Sequence, residues 1–68
     1  MIRIACRSLE QANDIALKLR TEQLTNPQQI FGVIHKPNSL SVKVDGYTPT
    51  IQSLVCGFQF DIEGFYFI

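Results

Sequence analysis

The sequence predicts a single α+β domain spanning residues 1–68, ordered β-α-β-β-β-(β). One helix is expected to pack on one face of a four- or five-stranded, mainly antiparallel sheet. Three observations lead there. One long segment carries a helical period: Leu9, Ala12, Ile15, Ala16 and Leu19 fall within about 120° when plotted at 100° per residue. Period-two alternation recurs before and after it, in Ile2–Cys6, Leu40–Val44 and Leu54–Ile62. The later segments are joined by short, turn-rich stretches, and a parallel return needs a crossover of a dozen or more residues.

The first strand opens the chain, with Ile2, Ile4 and Cys6 facing one way and Arg3, Ala5 and Arg7 the other. Ser8 stands at a helix N-cap, and Gln11 three residues on completes a modest capping box. Glu10 in the first turn complements the helix dipole. The helix is expected from Leu9 to Glu22 or Leu24. Gln11, Asp14, Lys18 and Glu22 are placed opposite the core stripe, with Asp14 and Lys18 as an i,i+4 pair. Leu17 and Leu24 share a flank, where they either widen the buried face or touch something outside the fold. Asn26-Pro27 ends the helix, because the residue before proline leaves the α region.

A second strand over about Gln29–His35 carries apolar residues on both parities, Ile30 and Ile34 against Phe31 and Val33. That pattern suggests a central or doubly covered strand, with Gly32 at a bulge or close approach. Lys36-Pro37-Asn38-Ser39 reads as a turn. Leu40, Val42 and Val44 then alternate with Ser41, Lys43 and Asp45 in a third strand. Asp45–Thr50 reads as a loop. A fourth strand is expected within Ile51–Asp61, bent at Gly57, because Leu54, Cys56, Phe58, Phe60 and Ile62 share a parity against Gln59, Asp61 and Glu63. Glu63-Gly64 would turn the chain back into a fifth strand, Phe65–Ile68, whose apolar character implies docking in a sheet or against a partner. The expected core is Ile2, Ile4, Cys6, Ala12, Ile15, Ala16, Leu19, Val42, Val44, Phe58 and Phe60, plus one parity of the second strand.

Composition narrows the function classes. Six basic and six acidic side chains balance to zero, so the strongly basic footprint of many nucleic-acid binders is missing. At 68 residues a chain buries only about 60% of the surface it exposes when unfolded, which makes association a natural source of stability. Cys6 and Cys56 both lie in apolar patterns and are expected as two buried free thiols rather than a disulfide. No secretory leader or membrane span is read from the sequence, and a cytoplasmic location is the default.

No constellation of residues argues for chemistry. Cys6, Cys56 and His35 lack the close ligand pairs of a zinc site. Cys6 precedes a helix start beside Arg7, yet its parity buries it, which argues against a nucleophile. Asp45, Asp61 and Glu63 read as a wet strand face rather than a carboxylate pair. Phosphate-cradling glycine loops and the zinc-protease motif are missing. No catalytic residue, metal ligand or cofactor is therefore assigned, and the chain is read as non-enzymatic. The reading favoured is a protein-interaction module: a small stoichiometric inhibitor of phage or plasmid type, or a self-associating adaptor that forms a homodimer. Arg3, Arg7, Lys36 and Lys43 would orient the partner; Phe31, Val33, Tyr47, Phe65, Tyr66 and Phe67 would supply contact area. The alternative is a small nucleic-acid-binding protein using the same four cations on the sheet face, with Asp45, Asp61 and Glu63 opposing them.

Overall fold

A computed structural model describes residues 1–68. The elements are β1 (Ile2–Ala5), α1 (Leu9–Thr25), β2 (Ile30–Ile34), β3 (Ser41–Gly46), α2 (Thr48–Gly57) and β4 (Gly64–Phe67). The sheet is antiparallel throughout, in the order β2-β3-β1-β4. β-α-β-β-α-β in that strand order is the split β-α-β, or ferredoxin-like, topology. It specifies an architecture that hosts many functions and points to none. β1 and β2 run in the same direction with β3 between them, one of the two arrangements the crossover helix allows.

The one-helix expectation is corrected: a second helix, α2, contacts the sheet, and the sheet has four strands. Residues Ile51–Asp61 form no strand. Their governing period is helical, since Ile51, Leu54, Val55 and Phe58 stand at i, i+3, i+4 and i+7. Pro49 lies in the first turn, where its missing N–H costs nothing and its fixed φ suits the helix. Ile51 and Val55 are fully buried, and Leu54 and Phe58 pack on the core beside them. Cys56, which the alternation would bury, is exposed. Past the helix, Gln59 takes a left-handed backbone at φ 62°, so Phe60 and Ile62 fold back against the core as loop residues.

Both helices cover the same face. Ile2 and Ile4 of β1, Ile30 of β2 and Val42 and Val44 of β3 join Ala12, Ile15, Ala16 and Leu19 of α1 and Ile51 and Val55 of α2 in one buried cluster. Cys6 completes it. Of the expected core, Phe58 and Phe60 are half-buried at its margin and the other named residues are buried, but neither parity of β2 is: Ile30 is buried, Val33 half-buried, and Phe31 and Ile34 are exposed. Burial pushes the Cys6 thiol above its ordinary value. Both cysteines are free; the expectation of two buried thiols holds for Cys6 alone.

Helix α1 begins at the expected N-cap, where the Ser8 hydroxyl accepts from the Gln11 amide at 3.2 Å, but the capping box is only half made: Gln11 Oε1 is buried without a hydrogen-bond partner. Two leucines of the helix face outward, with Leu24 84% and Leu17 65% exposed. Gln11, Asp14 and Glu22, expected opposite the core, are half-buried on a flank. Beside them Lys18 holds its ammonium 5.4 Å from the Phe58 ring and 5.3 Å from the Phe60 ring, a cation–π bridge between the helical layer and the loop after α2.

β2 is an edge strand, which corrects its reading as central or doubly covered. Its apolar residues on both parities result from a bulge between Ile30 and Gly32. The extra residue lets Ile30 and Val33, three apart, both face the helices. Gly46 at the end of β3 passes so close to Gln29 that a Cβ would overlap the Gln29 carbonyl oxygen and sit 3.0 Å from Ile30 Cα. No helix is long and apolar enough to cross a membrane.

Candidate interaction surface

With both helices on one side, the opposite face of the sheet is uncovered. Strand register places one residue per strand across its middle: Ile34 pairs with Lys43, Lys43 with Arg3, and Arg3 with Tyr66. Side chains alternate along each strand, so these four project together on the uncovered face. The Arg3 guanidinium lies 4.5 Å above the centre of the Tyr66 ring, and its Nη1 donates to Ser41 Oγ at 3.1 Å. Two contacts thus fix a long side chain that would otherwise sample many rotamers.

At one end of this face β2, β3 and their turn enclose a cleft of about 170 Å³ lined by Ile34, Lys36, Ser39, Ser41 and Lys43. His35 Nε2 lies 2.9 Å from the Ser39 carbonyl oxygen, and Ser39 Oγ both donates to Ser41 O and accepts from Ser41 N, which tightens the turn that carries Lys36. Lys36 and Lys43, two of the four cations expected on this face, line the cleft, and a third, Arg3, lies opposite Lys43 and bonds to Ser41 in the cleft wall. The fourth, Arg7, lies beyond β1 and pairs with Asp61 at 3.3 Å. Both partners are largely exposed, so the pair adds little stability, but it offsets the charge of Arg7.

The apolar candidates separate into three groups. Tyr66 and Phe67 lie on β4, an edge strand, and remain exposed; Phe67 is 69% accessible. Phe31 is exposed at the bulge of the opposite edge, and Tyr47 at the N-cap of α2. Val33 and Phe65 point toward the helices and pack against the core, which leaves only part of their surface available. Sequence reasoning did not find the cleft. Its signal was present in the alternation that placed Ser41 and Lys43 on one face, but the turn that closes it depends on bonds from Ser39 that no pattern encodes.

β4 presents a free edge. In an antiparallel ladder, backbone groups alternate between facing the neighbour and facing away. Ile68 N donates to Met1 O, so Tyr66 and Gly64, which share its parity, also face β1. The N–H and C=O groups of Phe65 and Phe67 consequently project from the sheet edge. No known protein family, curated protein or solved structure matches this chain.

Proposed function

We propose that this chain is a non-enzymatic protein-interaction module that extends its sheet through β4, with a second copy of itself as the first partner. The observation that carries this is the outer edge of β4: a regular strand with no bulge, no proline and no lysine, aromatic on both faces. An antiparallel self-pair centred on Tyr66 sets Phe65 of each copy against Phe67 of the other. The outward backbone groups of both residues then form four hydrogen bonds about a two-fold axis. Tyr66 meets its own copy on the uncovered face, and the phenylalanines form cross-strand aromatic pairs on the other. Zero net charge leaves little repulsion between copies. A foreign chain offering a strand to the same edge would compete with self-pairing, which is how such a module acts as an adaptor or stoichiometric inhibitor. Free cysteines, one of them exposed, suit a reducing cytoplasmic setting.

Light scattering over about a hundredfold range of concentration around a micromolar-to-nanomolar Kd tests the idea. A mass that doubles with concentration is expected, and Phe67→Lys should weaken the dimer about thirtyfold, the scale of a strong interface residue. A wild-type chain that stays monomeric throughout the range would overturn self-pairing.

A further inference from the structure

The cleft between β2 and β3 lies at the other side of the sheet from the β4 edge, and the geometry points to a phosphate-binding site. We propose that it takes the phosphate of a small phosphate monoester. The first reason is electrostatic. Register sets Lys43 directly opposite Arg3 on the uncovered face, and like charges at opposed positions repel. Neither finds a carboxylate: the one ion pair of the chain joins Arg7 to Asp61. Asp45, the acid nearest in sequence on the same face, pairs across the ladder with Gly32, one row away from Lys43. With Lys36 on the turn, two lysines therefore line a concavity that no acidic side chain lines, and Arg3 stands beside it, bonded to Ser41 in its wall.

The second reason is the donor set. Ser41 Oγ accepts from Arg3, and this leaves its own hydrogen free to donate. Arg3 is held in place by Ser41 and Tyr66 and keeps further N–H donors. A phosphate monoester carries a charge near −2 at neutral pH and three strong acceptor oxygens, which match these donors and relieve the opposed pair. Ile34 forms an apolar wall in the same cleft, where the carbon portion of the ester would rest. The two lysines share one cleft with Arg3 at its wall, a cluster sized for one phosphate rather than for a nucleic-acid backbone.

The test is a titration followed by amide resonances, at constant ionic strength, with inorganic phosphate, adenosine 5′-monophosphate, adenosine and an oligothymidylate lacking terminal phosphates. Expected are saturable shifts at Ser41 and Lys43 with phosphate and the monophosphate, and none with adenosine. Lys43→Gln should weaken binding about tenfold or more, the scale of a lost charge-assisted bond. Arg20→Gln, on the exposed face of α1, should bind as wild type. In the absence of phosphate, Lys43→Gln should also raise the urea midpoint by removing the repulsion. The proposal is overturned if no probe saturates, or if Lys43→Gln binds phosphate as wild type does. It is also overturned if the oligonucleotide binds more tightly than the monophosphate with steep salt dependence, which would assign the face to nucleic acid.

Discussion

The two edges of the sheet answer the same problem differently. β2 and β4 each end the ladder, and each carries exposed aromatic surface. At β2 the edge is interrupted. A bulge breaks the register at Phe31, and the Gln23 side chain of α1 donates to the Phe31 carbonyl at 2.9 Å. Gly46 lies tight against Gln29, and Tyr47 N donates to Gln29 O at 2.7 Å, so the start of the strand is tied to the end of β3. At β4 none of these devices occurs; its outward groups are regular and unoccupied. Strand propensity does not separate the edges, since both are rich in phenylalanine and isoleucine or tyrosine. What separates them is the neighbouring helix. α1 lies over β2 and sends a side chain to its edge, whereas the only connection into β4 is the loop after α2.

The contrast can be broken most severely on the β2 side. Gly46→Ala forces a methyl group into the Gln29 carbonyl and should cost roughly 3 kcal/mol, within reach of a backbone clash that the strand cannot relieve. Urea unfolding would show a lower midpoint with an unchanged slope. The next effect concerns association. If β4 alone is adhesive, Phe31→Lys should leave the dimer intact while Phe67→Lys disrupts it by about 2 kcal/mol. Equal losses from the two substitutions, measured by light scattering, would place both edges in the interface. Smaller still is Gln23→Ala. Loss of this exposed bond to the bulge should lower stability by about 0.5 kcal/mol and speed amide exchange in β2 while β4 is unaffected.

The last effect is absent at neutral pH and emerges only in alkali. Cys6, immediately after β1, is raised above the ordinary thiol value of 9.0 by burial. The folded chain thus holds that proton more tightly than the unfolded chain does. The stability this contributes is complete below the unfolded pKa and is lost as pH rises through the folded one. Stability of the wild type should therefore fall from about pH 9 upward more steeply than that of Cys6→Ala. Parallel curves for the two proteins would remove the thiol from the account.

By itself the sequence determined the elements whose signals are local. Ser8 and the apolar stripe of α1 set that helix, because a cap and a 3.6-residue period are properties of neighbouring residues. Ile2, Ile4, Val42 and Val44 fixed the buried faces of β1 and β3 by alternation alone. α2 was also legible, in Pro49 and the spacing of Ile51, Leu54, Val55 and Phe58. A competing parity of Leu54, Cys56, Phe58, Phe60 and Ile62 outweighed it, since in so short a segment the two periods share residues. Only the tertiary structure decided that β4 docks beside β1, that β2 lies at an edge, and that Lys36 and Lys43 share one cleft with Arg3 beside it. Those outcomes depend on which strands pair. Pairing is settled by the summed burial of both helices on one face, and no single segment of the chain carries that sum.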